Sequence, residues 1–477
     1  MPFSTKIIAA FYCFFSPVAF AASAWPAPVV AERYVRLAFA ENIALKSHEL
    51  DVSAARSRLS ATSAARLPRV DLLARYSRAE GGRTIDVPSG DLINPAYSAI
   101  NSLLAAAGRP ASFPRVDNLS IPLLRESEQE TKLRVSTPLL NSELSRWTAS
   151  RRSAVDSATA QQAAARRELR LAVLTAYYTT LRAQSAEQIL HGATELTAEA
   201  LRSSRALFTV DKATEDRVLR AEADDLTVKQ QLADAIRDRT SALAVFNALL
   251  HRPLDFAIDA PTTEELATLT TILLTSEVGP IAVPESREEL AALRAAAREA
   301  SEAESAVLAR KRPTLSLVAD GGIQGERYRT GHGFDYVQVS LVSEFNLWDG
   351  HQRKHEIDAA RSLRRKVEIR LETVREQLAV ELSSAYGELA AARAAYPTAE
   401  RRTAAAARAF DLVSARDREG LANQLAFLDA RQTLTTSRLN LDIIRMRLFI
   451  AAARVDRALA ATPVSYTHLT LPTICSV

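Results

Sequence analysis

Two short stretches limit what this chain can fold into: LPRVDLLARYS, Leu67 to Ser77, and RPTLSLVADGG, Arg312 to Gly322. Each follows directly on a run of helical spacing, and each alternates apolar with polar side chains. Alternation with a period of two makes a strand with one apolar and one polar face, so its two sides meet different surroundings. Two more stretches behave the same way. In order along the chain, Val70, Leu72, Ala74 and Tyr76 oppose Asp71, Arg75 and Ser77; Leu133, Val135 and Leu139 oppose Lys132, Arg134 and Ser136. Leu315, Leu317, Ala319 and Ile323 then oppose Ser316, Asp320 and Gln324, while Val337, Val339, Leu341 and Phe345 oppose Gln338, Ser340, Glu344 and Asn346. Strands of about ten residues, apolar on one side and polar on the other, fit a membrane barrel that faces lipid outward and water inward.

The rest of the chain reads as helix, and it repeats. Setting Pro68 on Pro313 aligns Leu45 with Leu290, Ala64 with Ala309, Arg66 with Lys311, Val70 with Leu315 and Leu72 with Leu317. Further on, STPLLNSE (Ser136 to Glu143) matches EFNLWDGH (Glu344 to His351), Tyr178 matches Tyr386, and LRAE (Leu219 to Glu222) matches LDAR (Leu428 to Arg431). Each copy predicts helix, strand, strand, long helix, long helix. The first spans 25–252, with strands at 67–80 and 129–140 and a helical hairpin at 143–250. The second spans 286–462, with strands at 313–326 and 334–348 and a hairpin at 350–461 in which Pro397 predicts a kink. Residues 253–285 read as a Pro- and Thr-rich linker with short helices, and Gly81 to Asn118 as an enlarged outer loop. A helix of about 65 residues reaches on the order of 100 Å, several times the thickness of a bilayer.

Charge and composition exclude several function classes. Sixty basic residues against 56 acidic ones leave a net charge of +4, and the arginines are spread along helices, so no nucleic-acid surface is expected. Lys6, the apolar run Ile7 to Phe20 and the small residues AFAASA read as a secretory signal peptide over 1–24, cleaved after Ala21 or Ala24. Cys13 lies in that segment and Cys475 in VSYTHLTLPTICSV, Val464 to Val477, part of an uncharged, Thr-rich tail over 463–477 that reads as foreign, so no disulfide is expected. No segment of the mature chain approaches eighteen uncharged apolar residues. A chain of this kind enters a membrane as strands.

Four strands cannot close a barrel, and an open edge in hydrocarbon leaves backbone groups unpaired at several kcal/mol each. The barrel is therefore expected to be shared between copies of the chain. Two copies give eight strands and a filled interior, whereas three give twelve and room for a lumen, which the polar inner face favours. The helices, too long for the membrane, then project into the aqueous compartment as a tube.

With AARLPRVDL before the first strand, PLLN and FNLWDG after the second and fourth, TAYYTTL and SSAYGEL in the long helices, and GLANQLAFLDARQTL opening the last one, the chain resembles the TolC family of outer-membrane channel proteins over Glu32 to Leu459. The resemblance implies a homotrimer with a twelve-stranded barrel in outer-membrane lipid, an α-helical periplasmic tunnel, and no cofactor. It also implies a lower tip that meets a periplasmic adaptor and an inner-membrane pump of RND or ABC type. In that family the tip turns lie where the long helices reverse, and acidic residues just beyond them constrict the entrance. Here the tip turns fall on Asp211, Lys212, Ala213 and Thr214 and on Gly420, Leu421, Ala422 and Asn423. Asp429 occupies a constricting acid position, while Arg217 and Ala426 stand where an acid is common, and the first turn lacks the usual Gly.

Other chemistry is weak in the sequence. His351, His355 and Asp358 could share a helix face, but DGH is a helix start and no HExxH pattern accompanies them. GGIQG, Gly321 to Gly325, lacks the Lys-Ser/Thr of a phosphate loop and falls at a strand end, which favours barrel packing. Asp224 with Asp225, and Glu288 with Glu289, are read as solvated helix faces, and no nucleophile–base arrangement is found, so an enzyme is not expected. Two functions remain: a passive exit duct for an efflux pump or type I secretion system, and a secreted coiled-coil protein that scaffolds the envelope.

Overall fold

The computed structural model describes residues 25–276, 282–419 and 424–460. The expected signal segment 1–24, the tail 463–477 and the turn Gly420, Leu421, Ala422 and Asn423 lie outside the described residues. The chain divides into two compact units, one holding 25–56, 153–298 and 365–460, the other Ser57–Arg152 and Glu299–Arg364.

The first unit is helical. It contains α1 (Val29–Glu41), most of α2 (Ile43–Ala64), α4 (Ser142–Thr209) from residue 153 onward, α5 (Glu215–Leu249), α6 (Thr263–Thr275), the start of α7 (Glu288–Ala309), α8 (Gln352–Arg418) from residue 365 onward and α9 (Gln424–Leu459). Asn42 separates α1 from α2: its Oδ1 accepts the N–H of Leu45 at 3.1 Å and its Nδ2 donates to the Leu249 carbonyl at 3.0 Å. Thr262 caps α6 by accepting the N–H of Glu265 at 3.1 Å. α8 runs through Pro397 without a break in the helix.

An aromatic cluster centres the core of this unit. Tyr34 of α1 meets Phe246 of α5 edge-on at 5.1 Å between centroids, Tyr177 of α4 lies 5.7 Å from both, and Tyr178 stacks on Phe449 of α9 at 5.1 Å. Consecutive buried tyrosines point roughly 100° apart on a helix, so α4 is covered on two sides at this level. Alanines complete the packing: Ala31, Ala38, Ala451 and Ala458 are among the fully enclosed residues, where a larger side chain would hold the helices apart.

The second unit is built on a sheet. β1 (Arg69–Arg78), β4 (Ser127–Leu140), β5 (Thr314–Gly325) and β6 (Asp335–Glu344) form one antiparallel sheet in the order β1-β4-β5-β6. Its rungs run from Asp71 through Arg134 and Asp320 to Gln338, and from Leu73 through Lys132 and Gly322 to Tyr336. The outer edges of β1 and β6 pair with nothing among the described residues.

The segment between β1 and β4 is more ordered than an outer loop. It holds a hairpin of β2 (Thr84–Val87) and β3 (Leu119–Pro122), with helix α3 (Ser89–Ala106) between them. Asn side chains hold it together. Asn118 caps the helix by accepting the N–H groups of Gly90 and Asp91, while Asn94 and Asn101 each bond both the N–H and the carbonyl of a residue in the return segment, Val116 and Phe113.

Candidate functional site

The sheet separates two chemistries because its pleat sends successive side chains to opposite faces. On one face Leu72, Val337 and Val339 are 72%, 83% and 66% exposed, joined by Val70, Tyr76 and Leu341, an apolar surface that none of the described residues covers. The opposite face carries a ladder of ion pairs. Arg134 grips Asp320 with Nε at 2.8 Å and Nη2 at 2.7 Å, a bidentate fork. Lys132 lies 2.6 Å from Glu130 and 3.9 Å from Asp320, Arg75 is 3.2 Å from Glu130, and Tyr336 donates to Glu130 at 3.0 Å. Contacts that link residues on all four strands fix the register and leave one face charged and wettable.

Gly322 sits where β4 and β5 approach too closely for a side chain. A Cβ there would sit 2.3 Å from the Thr131 carbonyl oxygen and 2.7 Å from the Lys132 Cα, so only glycine allows β4 and β5 their approach. The GGIQG motif is thus part of strand β5.

In the helical unit, the turn between α4 and α5 is the DKAT segment. Asp211 takes a left-handed conformation (φ 57°), and Lys212 donates to the Leu207 carbonyl at 2.9 Å, so Asp here does the work that Gly does at many helix C-termini. Gln424 of α9 donates to the Arg217 carbonyl at 2.9 Å, which brings the starts of α5 and α9 together. Arg217 is half-buried and its Nε has no partner; Asp429 is exposed, and its side chain makes no hydrogen bond or ion pair among the described residues.

Four acids read as solvated are partnered instead. Arg431, 1% exposed, places Nη2 2.6 Å from Asp224, leaving its Nε and Nη1 without partners. Burial raises the Asp224 carboxyl above its ordinary range more than Arg431 lowers it. Asp225 is buried between Lys229 at 2.7 Å and Thr197 at 2.9 Å. Glu288 binds Arg167 at 2.6 Å, and Glu289 binds the fully buried Arg287 at 2.9 Å and Arg457 at 3.4 Å. Their partners lie tens to hundreds of positions away, apart from Arg287 and Lys229, so helical spacing could not reveal them. His351 also differs from expectation: with φ 73° it precedes α8, so it shares no helix face with His355. No group of three or more His, Cys, Asp or Glu suited to a metal occurs among the described residues.

The amphipathic sheet with open edges is joined in sequence to helices of 68 and 67 residues. Residues 282–461 match the family model described as outer membrane efflux protein. Over that stretch the chain is similar to the outer membrane efflux proteins. Its fold is that of solved outer-membrane proteins: the CmeC channel of Campylobacter jejuni (TM-score 0.73, 14% identity, 91% of this chain and 86% of that one) and VceC of Vibrio cholerae (0.72, 16%, 90% and 96%). The open-state MtrE channel of Neisseria gonorrhoeae is similar too (0.71, 17%, 91% and 89%). No curated protein matches the chain by sequence. The family and these neighbours are outer-membrane proteins, and CmeC and MtrE are channels.

Proposed function

We propose that the chain is the outer-membrane exit duct of a tripartite efflux pump or type I secretion system. The observation that carries this reading is the four-stranded sheet with an uncovered apolar face, a charged opposite face and two unpaired edges. Lipid suits the first face and water the second, and the edges require other strands. Three copies supply twelve strands around a wet lumen, with the helices extending into the periplasm.

The order of elements supports an internal duplication, since helix, paired strands and two long helices occur twice, with α3 and its hairpin inserted in the first copy. The domains then run as 25–252, 253–285 and 286–462. Substrates move passively, driven by an RND or ABC pump in the inner membrane through a periplasmic adaptor. The adaptor meets the turns Asp211 to Thr214 and Gly420 to Asn423, and Asp429 and Arg217 stand at the entrance. Detergent-extracted protein should migrate as an oligomer on gels when unheated and as a monomer after boiling, and should conduct ions in planar bilayers. A soluble mature protein, or stable monomers after cross-linking, would overturn the proposal.

A further inference from the structure

The two free edges define how copies of the chain meet, an inference that rests on the shared barrel proposed above. We propose that β1 of one subunit pairs antiparallel with β6 of the next in a single register, Arg69 opposite Glu344 of the partner subunit and Arg78 opposite Asp335 of the partner subunit.

The pleat sets the first constraint. Polar-face positions are odd-numbered on β1 (Asp71, Arg75) and even-numbered on β6 (Tyr336, Gln338), so continuous faces require odd residues of β1 to stand opposite even residues of β6. Allowed registers therefore differ by two residues. Both strands are ten residues long, and only the proposed register pairs all of them.

Charge gives the second constraint. Arg69 and Glu344 share the polar face, Arg78 and Asp335 the apolar one, so opposite charges meet at both ends of the ladder. Neither Glu344 nor Asp335 forms an ion pair among the described residues, while the exposed Arg69 and Arg78 pair with Asp71 and Glu126 of their own chain. Sliding two residues one way sets Asp71 against Glu344 of the partner subunit, a like-charge pair. Sliding the other way sets Arg69 against an apolar valine, Val342 of the partner subunit.

Barrel geometry supplies a third, independent check. The rung Asp71, Arg134, Asp320, Gln338 continues in the proposed register to Arg75 of the next subunit, four residues further along β1. Three subunits advance about twelve residues around twelve strands, and with a rise of about 3.3 Å and a strand spacing of about 4.8 Å this tilts the strands by about 35°, within the range of about 35–45° for such barrels. The slip that separates Arg69 from Glu344 gives about 19°, too flat; the slip that opposes Asp71 and Glu344 gives about 46°, at the upper limit, but carries the like-charge pair.

Disulfide cross-linking tests the register in a background with Cys13 and Cys475 changed to serine. Ala74→Cys combined with Val339→Cys should give covalent oligomers on oxidation, at several-fold higher yield than Ala74→Cys with Val337→Cys or with Leu341→Cys. A two-residue slip moves a partner by about 7 Å, beyond disulfide reach, and within one chain the two edges lie three strand spacings apart. Arg69→Glu should lower the temperature at which the unheated oligomer dissociates, and Arg69→Glu with Glu344→Arg should restore it. Preferred cross-linking through Val337 or Leu341 overturns the register while the shared barrel stands. Oligomers that cross-link in none of the three pairs overturn β1–β6 pairing, and loss of oligomers in the cysteine-free background overturns the shared barrel itself.

Discussion

Asp456 on α9 allows a pH experiment whose size follows from the structure. Its carboxylate is 6% exposed, its Oδ2 is 3.5 Å from the Arg170 Nε, and its Oδ1 has no hydrogen-bond partner. Arg170 is committed elsewhere, gripping Glu32 through two bonds of 2.7 Å, and Arg167 is engaged with Glu288. Burial therefore outweighs the attraction of Arg170 and pushes the Asp456 carboxyl from its usual 3.8 up to about 6. A raised carboxyl holds its proton more tightly in the folded protein than in the unfolded chain, so stability falls as pH rises from about 4 to about 6 and stays lowered above that. The displacement corresponds to a cost on the order of 3 kcal/mol at neutral pH. Asp456→Asn removes the charge, keeps the shape and leaves an oxygen for Arg170, and should raise stability by about 1–3 kcal/mol at pH 7.5 and change it little at pH 4. Thermal unfolding followed by circular dichroism across this range, wild type beside variant, makes the comparison. A variant that melts with the wild type at both pH values, or below it at pH 7.5, would show that Arg170 fully compensates Asp456 and refute the reasoning.

Three further outcomes are expected. Gly322→Ala should force β4 from β5 and cost about 1–3 kcal/mol, read as a lower dissociation temperature of the unheated oligomer, whereas Gly321→Ala, whose Cβ would meet only Val337 at 4.0 Å, should change little. Asp429→Asn should reduce cation selectivity in planar bilayers at low salt, with the difference shrinking as salt screens the entrance; equal selectivity would make Asp429 an ordinary helix residue. An epitope inserted after the exposed Gly108 should be reached by antibody on intact cells, while the same tag at Ser89 should disturb α3, because the Ser89 hydroxyl donates to the Asp117 carbonyl at 3.1 Å; labelling of Gly108 only after permeabilisation would invert the proposed orientation.

Local rules reach the elements of this protein because its backbone obeys them. Alternation from Val70 to Tyr76 and from Val337 to Leu341 is enough to specify strands with two faces, since side-chain direction in a strand depends on position alone. The long stretches without proline, with apolar residues at three- and four-residue spacing, give α4 and α9 by propensity and spacing. The turn at Asp211 was placed by the family resemblance rather than by its local residues, and the sequence did not show that an Asp would take the left-handed conformation there.

The sequence by itself determined where the four strands of the large sheet and the long helices lie and which strand face is apolar, because these depend on neighbours within a few residues. Only the tertiary structure decided which charges are buried and what holds them. Arg431 finds Asp224 from 207 positions away, and Arg287 donates to the Ala458 carbonyl from 171 positions away. Such pairs form when helices distant in the chain pack together and exclude water, which strengthens the surviving contact and penalises each charge left without one. The helix α3 is of the same kind: a Gly-, Pro- and Asn-rich segment reads locally as loop, and it becomes a helix because Asn94, Asn101 and Asn118 bond across to residues 11 to 28 positions away.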